Sequence, residues 1–539
     1  MKAHLAIIVA FVQSASCFAA TFYVDFVSGS DASNGTSTAS AWKRVPGDPS
    51  ATGVPDSTTL SPGDTVLFKG GVQYLGNVAI PFSGSSESVI TYDGSGSSWG
   101  TGRAIADANY QLNSYCFAAD AGVSHVTFKG FHLRNAGGWA DDDAAVIAAA
   151  AGTVTNSTAR AGNGLMFYSG WHTNIRIADL YIERMGGWRN TQGWTANTIS
   201  GSGIALKDCN GVVVTNCEIT KAQAGIVIYS SDYMKNVTVQ DCDIHNYIVW
   251  GIDIAPQASG ATLSNIEIKN TTVRDYVEFT SGVWAGVGEW PHTDGIFVRT
   301  AAIASVWTNV SISGCSFYCD SPGSSDGGTA AIFVSQGASV SIFNNLFQDT
   351  QTRQIGVDHS NPDASVQVVR IYNNTFLTDG SPAIVMGGET NAARRQVYIQ
   401  NNIFAMAPGA AQNWPMITRL SGVEPVVQDY NRYYDPDWSA GDKYVAAIPG
   451  YSSLATIQGL GWDTNSTYGS PLFVDSSAVK SERNLRLQSA LEGTDLSAFF
   501  TDDFTGATRV APWDIGAYEY LGRSATAGTV NVGTLIITP

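Results

Sequence analysis

The chain has 539 residues, with 29 Lys and Arg against 46 Asp and Glu and a formal net charge of −17. That balance argues against a nucleic-acid or anionic-membrane partner, each of which calls for a basic face, but it leaves room for an acidic polysaccharide held in a local basic groove. Only 14% of residues are charged while Gly, Ser, Thr and Asn abound, which suits many short strands and tight turns and speaks against a helix-rich enzyme.

Residues 1–19 begin Met1-Lys2, run apolar from Leu5 to Val12 and reach small residues between Ser14 and Ala20, the layout of a secretory signal peptide. Cleavage after Ala19 is expected, with a lipid-anchored form through Cys17 as the alternative. No later stretch has the apolar length of about 20 residues that crossing a bilayer needs. The expectation is therefore a secreted or periplasmic monomer. Six cysteines follow the leader (Cys116, Cys209, Cys217, Cys242, Cys315 and Cys319), too few to hold up a core by disulfides, although Cys315 and Cys319 could pair locally.

Residues 20–115 are expected to form an N-terminal cap and the first coils, and 116–420 the core. One spacing recurs through the core: Val212, Val214, Cys217, Ile219, then Val237, Val239, Cys242, Ile244, then Ile266, Ile268, Thr271, Val273. It continues as Val310, Ile312, Cys315, Phe317 and as Val340, Ile342, Asn345, Phe347, and two further copies end at Phe376 and Phe404. Apolar residues two apart mark a strand with one buried face, and the step of three marks a bend that keeps the next side chain pointing inward. An Asn at that corner tolerates left-handed backbone and bonds neighbouring peptides, and Asn344-Asn345, Asn373-Asn374 and Asn401-Asn402 spell it out. Each repeat is preceded by a short strand such as Gly225-Ile226-Val227-Ile228, Gly251-Ile252-Asp253-Ile254 or Gly295-Ile296-Phe297-Val298. So regular a period predicts an all-β, right-handed parallel β-helix, a solenoid with capping regions at both ends. Residues 421–520 are expected to form C-terminal coils and a cap, and 521–539 a tail.

The coils lengthen at 183–201, 274–294 and 318–330, insertions expected to wall one flank of the solenoid. In the Gly-Ile strands the isoleucines point inward. The outward strip therefore reads Ala205 and Lys207, Val227 and Tyr229, Asp253 and Ala255, Phe297 and Arg299, Phe333 and Ser335, Gly356 and Asp358. Trp250, Asp294 and Arg353 stand at strand entries, and His359 follows Asp358. Asp253 and Asp294 fall on neighbouring coils, where two carboxylates could serve as acid and base around a water in glycoside hydrolysis. Trp250, Trp284 and Trp290 offer flat faces for sugar stacking.

The stretches Tyr23-Val24-Asp25, Gly29-Ser30-Asp31, Trp42-Lys43 and Gly63-Asp64-Thr65-Val66-Leu67-Phe68 resemble the entry region of secreted bacterial β-helix proteins. Asp514-Ile515-Gly516-Ala517-Tyr518-Glu519-Tyr520 resembles their closing motif; together these point to the pectin-lyase-like superfamily of polysaccharide-active enzymes. Trp290-Pro291-His292-Thr293-Asp294-Gly295-Ile296 resembles the Asn-Thr-Asp-Gly motif of polygalacturonases, which implies that Asp294 is the catalytic acid. His292 stands where that family has Asn, and would bind substrate or tune Asp294. No Gly-His-Gly or Arg-Ile-Lys accompanies the motif.

Function is thus expected to be cleavage of a polysaccharide, anionic polymers included, by hydrolysis. Asp294, Asp253 and His292 would be catalytic, and Lys207, Tyr229, Trp250, Trp284, Trp290, Arg299, Asp358 and His359 would hold substrate, with no cofactor. The alternative is β-elimination on a uronic-acid polymer, for which Lys207, Tyr229, His245, His292 and Arg299 offer acid, base and carboxylate-neutralising groups. Resemblance to alginate and pectate lyases would then imply Ca²⁺, although no Asn-Gly-Gly-Glu signature is present. A non-catalytic carbohydrate-binding or adhesin β-helix is the third class.

Overall fold

The computed structural model describes residues 19–111, 114–119, 122–137, 162–168, 170–186, 201–276, 293–300, 305–319, 328–335, 337–348, 353–359, 366–379, 381–388, 394–407, 410, 415–420, 425–436, 446–447, 451–476 and 479–522. The leader, most of the three insertions and the tail from 523 lie outside them, and with them Trp284, Trp290 and His292.

Among the described residues the chain winds into three sheets of thirteen strands each, in which every strand pairs with its counterpart one coil away. The pairing is parallel throughout the body of all three sheets. It begins at Thr21–Val24, which pairs with Thr65–Phe68. α-Helix is confined to two short segments among the described residues, Gly53–Ser57 and Leu454–Gly459. No described helix is long and apolar enough to cross a membrane.

The apolar residues at the repeated spacing all enter one continuous core. Like side chains stack on like, because successive coils place equivalent positions one above another. Phe317, Phe347, Phe376, Phe404 and Tyr433 form one such pile, with centroid separations of 4.9, 4.7, 5.0 and 5.2 Å and rings within 14° of parallel.

The sequence expectation gave left-handed backbone and inward stacking to one corner residue; the structure divides them between two. The left-handed member is the first of each pair, with φ of 56° at Asn344, 48° at Asn373 and 58° at Asn401. The second member turns inward and builds a buried ladder. Asn345 donates from its backbone N–H and its Nδ2 to Asn374 Oδ1, both at 3.0 Å, and Asn374 repeats this with Asn402 at 3.0 and 3.1 Å. Asn402 does the same to Asn431, whose Nδ2 donates to Asp463 Oδ1 at 3.1 Å. Burial raises the Asp463 carboxyl above its usual range, against the four donors that converge on it from Ser466, Asn431, Gln428 and Tyr433.

The C-terminal motif does not lie across the end of the helix, as a closing cap would. It runs as a strap along the flank, and the left-handed asparagines are its anchors. Asn344 Nδ2 donates to Asp502 O at 2.7 Å, Asn373 Nδ2 to Asp514 O at 2.8 Å and Asn401 Nδ2 to Thr494 O at 2.8 Å. Buried Arg509 ties the strap to itself and to Asn344 Oδ1.

The part of its sheet that carries the outward strip comprises β1 (Gly162–Phe167), β2 (Ser202–Lys207), β3 (Ala224–Ser230), β4 (Trp250–Pro256), β5 (Thr293–Arg299), β6 (Gly328–Ser335), β7 (Ile355–His359) and β8 (Ile384–Gly388). Its glycines are required by close approach. A Cβ on Gly225 would meet Gly251 O at 2.5 Å and Ile244 Cγ2 at 2.6 Å, and one on Gly251 would meet Gly295 O at 2.5 Å. Gly225→Ala is therefore expected to cost ~1–3 kcal/mol through overpacking, read as a lowered melting temperature. Gly459→Ala, where nothing lies within 4 Å of the new Cβ, is the control expected to melt as wild type does.

Candidate functional site

Register places the expected outward residues in two columns along the helix axis. Ala205, Val227, Asp253, Phe297 and Phe333 follow one another on successive strands, and Lys207, Tyr229, Ala255 form the head of the second. Arg299 pairs with Ser335 further down that column, and Asp358 with Gly387. The spacing argument thus placed these side chains correctly from coil to coil.

Alternation aims Asp253 out of the solenoid, yet it is fully buried, because its neighbours close over it. Arg299 grips the carboxylate at both oxygens, Nε to Oδ1 at 3.1 Å and Nη2 to Oδ2 at 2.9 Å, and Tyr229 Oη donates to Oδ2 at 2.7 Å. The Arg299 guanidinium also lies over Trp250 and Phe297, 5.1 and 5.2 Å from the ring centroids. Burial works against its charge, but Asp253 more than offsets this and holds Arg299 above the ordinary arginine range. Burial, with the Asp253 charge beside it, pushes the Tyr229 phenol well above the usual tyrosine range, so Tyr229 stays protonated at neutral pH.

Around this cluster runs an aromatic row. Trp250 packs on Phe297 at 5.9 Å, and Phe297 stacks on Phe333 at 5.6 Å, with Arg353 5.6 Å above the Phe333 ring. On the other side Lys207 lies 4.9 Å over Tyr168. Among the described residues no carboxylate forms an ion pair with Lys207, whose ammonium faces the Tyr168 ring.

Asp294 is fully buried at the entry of β5, in register with Trp250 on one side and Ala330 on the other. Asp253 is in register with Phe297, three residues along from Asp294. The two backbones are therefore offset by about 10 Å along the strand as well as by one coil. Asp253 is occupied by a cation and a phenol. Asp358 lies half-buried two coils past Asp294, and the charges of both acids act on Arg353. His359 closes β7, next to Gly388 of β8. His245 belongs to the third sheet, where it meets Thr220 Oγ1 and the carboxylate of Glu218, away from this groove.

Sequence reading missed the small apolar floor beside the cluster, formed by Ala205, Ala224 and Val227 with Met166, Tyr168, Tyr229 and Trp250 around it. It opens into a cleft of about 260 Å³. Small residues at outward positions were the signal, but alternation alone does not say whether a small side chain marks a cavity. The six cysteines that follow the leader are buried, and Cys315 and Cys319 form no disulfide with each other. Among the described residues no three His, Cys, Asp or Glu side chains converge in a way that could hold a metal ion.

No curated protein matches the chain. Among solved structures it is similar to a GH136 lacto-N-biosidase from Eubacterium ramulus, at 14% identity over 77% of this chain and 67% of that one with a TM-score of 0.49. It is also similar to the pectate lyase Pel9A, at 12% identity over 93% and 98% with a TM-score of 0.38, and to an alginate lyase from Paenibacillus sp. str. FPU-7, at 13% over 70% and 88% with a TM-score of 0.32. The family model for a right handed beta helix region matches residues 120–285. With its three parallel sheets wound coil upon coil, the chain is a right-handed parallel β-helix.

Proposed function

We propose that this is an exported, single-subunit polysaccharide-degrading enzyme that binds an anionic glycan along the outer face of β2–β7 and cleaves it by β-elimination. The observation that carries the reading is the union of Lys207, Tyr229 and Arg299 around buried Asp253 beside a row of aromatic rings. Elimination next to a uronate needs its carboxylate neutralised, and needs a group that takes the C5 proton and gives one to the departing O4 as the C4–O4 bond breaks and the C4=C5 double bond forms. Lys207, which pairs with no described carboxylate, suits the first task. Tyr229, protonated at neutral pH, suits the second, its Oη giving its proton to O4 and taking the C5 proton in its place, with Asp253 and Arg299 fixing the phenol. The aromatic faces suit the apolar faces of pyranose rings.

Digestion of a panel of uronic-acid polysaccharides is expected to release products with the ultraviolet absorbance of an unsaturated uronate. Lys207→Met, which keeps the apolar stem, is expected to lower kcat/KM about a hundredfold. New reducing ends without that absorbance would overturn elimination. They would favour the second reading, hydrolysis with Asp294 as acid and His292 beside it, which the placement of Asp294 in register with Trp250 supports. In that case Asp294→Asn abolishes turnover. Binding without cleavage of any polymer would leave a carbohydrate-binding protein.

A further inference from the structure

The cleft beside the Asp253 cluster has polar atoms that the fold leaves unanswered. Gln223 is 3% exposed, and its backbone is pinned on both sides: its N–H donates to Met185 O at 3.0 Å, and its C=O accepts from Val249 N at 2.9 Å. Its side-chain Oε1 is buried and has no hydrogen-bond partner among the described residues, and the same holds for the indole Nε1 of Trp250. Both residues line the cleft. The neighbouring Asn163 Oδ1 is already satisfied, accepting from Ser202 N at 2.9 Å and from Ser202 Oγ at 2.7 Å. A buried acceptor and a buried donor left open cost ~1–3 kcal/mol each, which a ligand supplying the matching groups recovers.

The cleft therefore asks for three things at once: a donor for Gln223 Oε1, an acceptor for Trp250 Nε1, and a small apolar group for the floor of Ala205, Ala224 and Val227. A secondary amide bearing a methyl group offers all three, since its N–H donates, its C=O accepts and its methyl is apolar. A hydroxyl supplies the polar pair but leaves the floor uncovered. A carboxylate supplies no donor. We propose that this cleft is a subsite for an acetamido sugar, so that the glycan in the groove carries an N-acetylated residue beside the bond that is cut. The proposal rests on the reading of the groove as a glycan site, and it narrows the polymer to one that combines uronate and acetamido sugars.

Saturation-transfer NMR of the intact protein with N-acetylglucosamine and N-acetylgalactosamine, against glucose and galactose, tests it without any substitution. The acetyl methyl is expected to receive the strongest saturation, and the acetamido sugars to bind about tenfold more tightly than their hydroxyl counterparts. Gln223→Leu is expected to remove about that tenfold preference. Ala205→Leu, an outward position that leaves the core untouched, is expected to fill the floor and abolish the methyl signal. Equal binding of the acetamido and hydroxyl sugars, or binding of neither, overturns the subsite. Cleavage of a uronate polymer that has no acetamido group, with no acetamido preference, would overturn the subsite while the elimination reading stands. Acetamido binding with no polymer cleaved would do the reverse.

Discussion

Arg299→Ala is expected to destabilise the protein by ~3–5 kcal/mol and to abolish turnover together, the larger share of the first effect coming from what it leaves behind. Asp253 is fully buried, and Arg299 contacts both of its oxygens. Without the guanidinium the carboxylate keeps only the Tyr229 hydroxyl. A buried carboxylate whose charge no cation opposes carries the cost, which thermal melts at neutral pH read as a lowered midpoint. The double variant Asp253→Asn, Arg299→Met removes both charges, keeps an acceptor for Tyr229, and should regain most of the stability without regaining activity. A single Arg299→Ala variant that melts like wild type at neutral pH would show that the ion pair is not buried as described.

Asn374→Ala should produce a loss of similar size by a different route. Its Oδ1 accepts from Asn345 N and Nδ2 at 3.0 Å, and its Nδ2 donates to Ile342 O at 2.9 Å and to Asn402 Oδ1 at 3.1 Å. All of these groups are buried, and alanine satisfies none of them. At ~1–3 kcal/mol for each stranded group, and with partial relaxation, a total of roughly 3–5 kcal/mol is expected. The coil should also open locally, because adjacent coils hold each other through this ladder. Hydrogen exchange at the Asn345 amide, whose acceptor is lost, should accelerate. Asn210→Ala breaks only the exposed bond from Asn236 Nδ2 and should stay within ~0.5 kcal/mol of wild type. Equal effects from the two substitutions would refute the assignment of ladder strength to burial.

The proposed site rests on a few residues that differ in how far sequence could reach them. Lys207, Tyr229, Asp253 and Arg299 could be placed near one another because β pairing repeats at a constant residue offset, so facing and height follow from counting. Their chemistry could not be read that way. Asp253 and Asp294 look alike in sequence, both acidic and both beside a Gly-Ile strand. The three-residue offset between them, and the reach of Arg299 back across one coil to Asp253, give them different surroundings. The Gln223 acceptor gave no sequence signal at all, since a glutamine beside a strand is ordinary until its surroundings are known.

By itself the sequence determined the period, the inward column of each strand, and hence the solenoid. These depend on local alternation and on like residues recurring at like positions, which any reader of the chain can count. Tertiary structure alone decided which polar groups meet which. The paired asparagines show the limit: one of each pair turns inward to its ladder and the other outward to a strap more than ninety residues away in the chain. Hydrogen bonds of that kind depend on ångström-scale distances between segments far apart in sequence, and a residue pattern carries no distance.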